Sequence, residues 1–162
     1  MTILEIEKAI INRLKSKIQG LEIDSFPEKP AEYRLLHAKG ALLVRYGGCS
    51  YTERLATDFI VQDRKINFEV NVVMRHLTSH EGVYAYLDAV RIALTGFRPP
   101  HCGKMYPVRE EFLTEEAGIW HYVVTFSMNT KAVEAAEDEA AILLKKITTI
   151  DELNEEILEV QK

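Results

Sequence analysis

The chain has 162 residues, 47% hydrophobic and 28% charged, with 20 basic and 25 acidic side chains and a net charge of −5. This length and balance suit one globular domain and exclude a disordered chain, a collagen-like repeat and a disulfide miniprotein. The acidic total argues against wrapping nucleic acid, although the excess lies after Val133 and the preceding residues are slightly basic.

Met1 leads into a charged amphipathic segment that lacks the uncharged core of a signal peptide. No apolar run is long enough for a transmembrane helix, so no membrane contact is expected. Cys49 and Cys102 have no spacing that asks for a bridge and are expected as reduced thiols in a cytosolic protein.

In chain order, Ile3, Ile6, Ile10, Leu14 and Ile18 recur at helical spacing. Thr2 and Glu5 form a candidate capping box, and Gly20 a stop. Leu21 to Phe26 reads as a short edge strand, and Pro30 to Lys39 as one or two helical turns. Ala41 to Tyr46 reads as a buried strand halted by Gly47-Gly48.

From Lys65 to Met74 apolar and polar residues alternate strictly, so Ile66, Phe68, Val70, Val72 and Met74 share a face. Ala56 to Gln62 is expected to pair with this strand as a hairpin whose second arm, Arg64 to Leu77, would span about 46 Å. Such a strand overhangs its own core and calls for a neighbour. Val83, Leu87, Val90 and Leu94 predict a second amphipathic helix, with Ser79 as candidate cap and Gly96 as stop. After the proline loop at Phe97-Arg98-Pro99-Pro100, Met105 to Leu113 and Ile119 to Met128 predict another antiparallel hairpin. The expected architecture is α+β: a mainly antiparallel sheet with long hairpins and two helices on one face. It comprises a single domain over residues 1–130 and an acidic C-terminal arm over 131–162. Asp151 could cap a short helix in that arm.

Chemical motifs are sparse. Gly47-Gly48 lacks the Lys-Ser/Thr pair of a phosphate loop, and there is no Gly-x-Ser-x-Gly elbow. His76 and His80 are separated by a strand-to-helix break, and His101 and Cys102 are adjacent without a metal-ligand motif. His37 and His121 complete the histidine set, which leaves a Cys/His enzyme imaginable and unplaced. No catalytic residue, metal or cofactor is assigned. Arg45, Arg54, Arg64, Arg75, Arg91, Arg98 and Arg109 read either as ordinary surface pairs or as a positive rim facing an acidic partner or DNA. Trp120 begins a strand and belongs to core or interface. The candidate interface residues are Arg45, Tyr46, Arg64, Arg75, Arg98, Pro99 and Trp120.

Three stretches in order carry a family likeness: Gly40-Ala41-Leu42-Leu43-Val44-Arg45-Tyr46-Gly47-Gly48, then Leu94-Thr95-Gly96-Phe97-Arg98-Pro99-Pro100, then Gly118-Ile119-Trp120-His121-Tyr122-Val123-Val124-Thr125-Phe126. With the preceding amphipathic helix they resemble the Mu-type phage tail terminator family. The resemblance implies a non-enzymatic virion protein made in the bacterial cytoplasm. It would form a homo-oligomeric ring, a hexamer when assembled, that caps the tail tube. The implied partners are a second copy, the tail tube protein and a head-completion protein, with DNA passing through the channel. A small binding module and an uncharacterised enzyme using the Cys/His residues are the alternatives.

Overall fold

The computed structural model describes residues 2–55 and 58–135. Helix α1 (Ile3–Lys17) starts at Thr2 through a complete capping box. Thr2 Oγ1 accepts from the Glu5 amide at 3.2 Å, and the Thr2 amide donates to Glu5 Oε2 at 2.7 Å. The helix ends before Ile18, whose amide still donates to Leu14 O. Five strands follow: β1 (Glu22–Ser25), β2 (Gly40–Tyr51), β3 (Val61–Met74), β4 (Tyr106–Glu116) and β5 (Ile119–Val133). Helix α2 (Val83–Leu94) lies between β3 and β4. The sheet order is β1-β2-β3-β5-β4, antiparallel throughout except for the parallel β1–β2 pair. This is the expected α+β architecture.

Both helices pack on one face, α1 on β1 and β2 and α2 on β3 and β5. The core there joins Ile6, Ile10 and Leu14 to Leu42, Val44, Phe68, Val70, Phe126 and the α2 residues Val83, Leu87 and Val90. Alternation supplies this face, because even-numbered β3 and β5 residues point toward the helices. On the opposite face, Leu35, Ala41, Leu43 and Val73 form a smaller cluster with Phe26, Tyr33 and Ile119 packed against it. Arg75 fastens this covering segment by donating to Leu35 O at 2.9 Å and His37 O at 3.2 Å.

Four local expectations change. The partner of β3 is β2, in register from Gly40↔Met74 to Tyr51↔Arg64, and not residues 56–62. Alternation identifies the faces of a strand but not its neighbour. Gly47-Gly48 does not halt β2: the register shifts between Tyr46 and Gly48, and Gly48 has φ 102°, so the pair forms a bulge that the strand passes through. Ser79 does not cap α2. Its N-cap is Gly82, and the Val83 and Tyr84 amides donate to His76 O and Leu77 O. A Cβ at residue 82 would collide with the Leu77 backbone, which explains the glycine. Only Pro30–Glu32 of the Pro30 to Lys39 stretch is helical, as a single 3-10 turn.

The second hairpin forms as expected, closing on Ala117 (φ 52°) and Gly118 (φ 77°), the paired positive dihedrals of a two-residue type I′ turn. Strand β5 continues past Met128 to Val133, so the first residues assigned to the arm belong to the sheet. The proposed helix beginning at Asp151 lies outside the described residues.

Candidate assembly interface

The 14-residue β3 and 15-residue β5 are each about 46–50 Å long at roughly 3.3 Å per residue. Both run beyond the helix layer, and the far end of β2 accompanies them. The projecting end is held by its own polar contacts. Leu55 N donates to Val61 O at 2.8 Å, Glu134 N to Ile60 O at 2.8 Å and Ile60 N to Glu134 Oε2 at 2.7 Å. Lys131 pairs with Asp63 at 2.5 Å. On this braced frame Tyr51, Leu55, Phe59, Ile60 and Val133 are exposed, Leu55 and Phe59 by 56% and 54%. Single exposed apolar residues need no explanation, but several gathered at one projecting end make a contact surface.

At the base of the projection, on the helix side, the bulge brings Tyr46, Cys49, Tyr51 and Arg64 together. Hydrogen bonds from Tyr46, then Tyr51, with the Arg64 guanidinium behind them, hold the Cys49 thiol below the usual thiol range. The Arg64 guanidinium sits 5.7 Å from the Tyr51 ring centroid, while its Nε is buried without a hydrogen-bond partner. Cys102 is buried, and desolvation pushes its thiol up. Sequence spacing gave no signal for the Tyr–Cys–Arg group, because the bulge that turns Cys49 to this face is a three-dimensional event.

The predicted interface residues are dispersed. Tyr46 and Arg64 meet in the cluster just described. Arg45 lies on the opposite sheet face, paired with Glu69 at 2.6 Å, its guanidinium 5.3 Å from the Phe26 ring centroid. Arg75 is occupied in fastening residues 35–37. Arg98 is exposed in the loop after α2, whereas Pro99 beside it is buried, its carbonyl accepting from Cys102 N at 3.2 Å. Trp120 is half-buried on the helix side, its ring centroid 6.1 Å from that of Phe112.

The sheet face away from the helices carries a groove of about 180 Å³ between Phe26, Tyr33 and Pro30 on one side and Leu113 and His121 on the other. Burial lowers the His121 pKa, with Glu116 opposing, and burial together with Glu22 pushes Tyr33 up to about 12. The Tyr33 hydroxyl has no hydrogen-bond partner there. Among the described residues no three His, Cys, Asp or Glu side chains gather to hold a metal ion. No described helix is long and apolar enough to cross a membrane.

The described residues form a single-sheet α+β protein whose overhanging strands end in an exposed apolar patch. The chain belongs to the Gp37 protein family, whose profile matches residues 10–155. No curated protein matches it significantly. Among solved structures it is similar to a chain of the "Virion of native gene transfer agent (GTA) particle", with a TM-score of 0.50 and 14% identity. That match covers 79% of this chain and 96% of the other, and at this identity the likeness is one of fold.

Proposed function

We propose that this chain is a non-enzymatic structural protein of a phage-like particle, of the tail-terminator kind. In this reading it forms a ring at the end of the tail tube, ends tube growth and offers a surface for head joining. The observation that carries the reading is the three-stranded projection with its exposed Leu55, Phe59 and Ile60. An isolated chain has no use for apolar side chains held out in the connection at the tip of two long strands, whereas a subunit that must contact a neighbour or the tube has. The ordered sequence likeness to Mu-type tail terminators supports the assignment, as does a fold shared with a chain of a gene transfer agent virion. DNA would be a passenger through the channel rather than a ligand, in keeping with the acidic total charge.

Gold labelling of a tag carried by this chain, viewed in negatively stained particles, tests the assignment. The expected result is a single cluster of label at the head-proximal end of each tail. Label spread along the tube, or absent from particles, contradicts it.

A further inference from the structure

Among the described residues the helix layer does not cover the whole sheet. A helix about 10 Å wide spans two strand spacings of about 4.8 Å, so two helices cover four strands. Here α1 takes β1 and β2 and α2 takes β3 and β5; α2 reaches β4 at its flank through the Arg91–Glu110 ion pair at 3.1 Å, and among the described residues no helix packs over β4. Every residue of β4 is exposed or half-buried.

This bare strip is aromatic. Phe112, 52% exposed, has its ring centroid 5.3 Å from that of Tyr122 and 6.1 Å from that of Trp120. The Tyr122 hydroxyl bonds to that of the exposed Tyr84 on the adjoining flank of α2. Clustered, partly exposed Trp, Tyr and Phe are the composition of an interface centre. On the strip's face β4 carries Glu110 and Glu115; Glu110 pairs with Arg91 of α2 at 3.1 Å, and Arg91 also pairs with Asp88, so the rim keeps a net negative charge with Glu115 as its unshared carboxylate toward the strip. The edge of β4 is not prepared for strand addition, because register shifts at Pro107/Arg109 and Phe112/Thr114 interrupt it and charges line it. The strip takes something laid on its face.

The opposite edge of the molecule presents the complement. Arg13 Nε donates to Ala93 O, which marks the α2-facing side of α1. At about 100° per residue, Leu4, Lys8 and Lys15 lie on the outer flank, turned away from α2. All three are exposed, Leu4 by 56%. The helix as a whole carries Lys8, Arg13, Lys15 and Lys17 against Glu5 and Glu7.

We infer that the outer flank of α1 in one copy seats on the aromatic strip over β4 and β5 of the next copy. Leu4 packs there among Phe112, Trp120 and Tyr84, and Lys8 and Lys15 face the glutamates of the rim. This rests on the ring reading above and specifies its contact. The helix layer of one subunit then continues into the next. The two surfaces differ, so the contact is heterologous and repeats around a closed ring.

The test places a photo-activated cross-linking amino acid at position 4 of the full chain in particle-producing cells. The expected product is a chain-to-chain adduct whose partner peptide carries Tyr84 or falls within residues 106–122. Lys15→Glu and Glu115→Lys are each expected to lower its yield about fivefold, and the two together to restore it, because they swap a charge pair across the contact. Both positions are exposed; Glu115 Oε1 also accepts from Gly118 N at 2.7 Å in the hairpin turn, so the melting temperature of Glu115→Lys is measured alongside, and restoration by the double variant separates the contact from a loss of fold. An adduct mapping elsewhere on this chain overturns the contact and leaves the ring. Adducts only to a different protein, or none between copies, overturn both.

Discussion

Cys49 and Cys102 have the same side chain in opposite surroundings. Cys49 is half-buried with hydroxyl donors and a guanidinium around it, and Cys102 is buried with its thiol pushed up. Alkylation follows the thiolate. Iodoacetamide near neutral pH is therefore expected to modify Cys49 several-fold faster than Cys102, and Arg64→Gln to slow Cys49 more than Cys102, which the same guanidinium touches by charge only. Equal rates, read by peptide mass spectrometry, would contradict this environment. His121 makes a stability prediction. Its folded pKa is lowered from 6.5 by burial, so the unfolded chain binds the proton more readily. Its contribution is fully present above the unfolded value and is lost as the pH falls through the folded one. The melting temperature is expected to fall between about pH 7 and 5, and less steeply in His121→Gln.

At the scale of elements, local chemistry decides the ends and tertiary contact decides the partners. The Thr2–Glu5 box was legible because capping needs only residues three apart. Thr2→Ala is expected to cost about 1 kcal/mol in denaturant unfolding. The faces of β3 and β5 were legible from period-two alternation, and so was the single-sided helix layer. The β2–β3 pairing was not, because it depends on Gly47-Gly48 bulging rather than stopping. The capping of α2 was not either, because carbonyls of His76 and Leu77 do the work assigned to a hydroxyl. For the site, the overhang was readable from strand length, and the helix-side placement of Trp120 from the alternation. The Tyr46–Cys49–Arg64 group, the bare β4 strip and the buried state of Pro99 required the fold. Gly40 illustrates the same division. A Cβ there would drive into Val73 O and the Met74 thioether, so Gly40→Ala is expected to destabilise by about 1–3 kcal/mol.

Across the whole molecule, the unused surfaces are unevenly distributed. Among the described residues the projecting end carries apolar side chains, the strip over β4 is aromatic with Glu115 beside it and Arg91 paired to Glu110 at its flank, and the outer flank of α1 is cationic around Leu4. A replacement of Leu55 and Phe59 by Ser removes exposed side chains only. The double variant is expected to keep the melting temperature within about 2 °C while failing to restore particles to a strain lacking the chain. Full restoration would remove the projection from the functional account.

In the proposed function this chain stops the growth of a tail. Electron microscopy of particles from a producer strain without it tests that claim most directly. Tails of variable, excessive length that carry no heads are the expected result. Normal tails with unattached heads would remove length control and leave only a joining role, and normal infectious particles would contradict the account altogether.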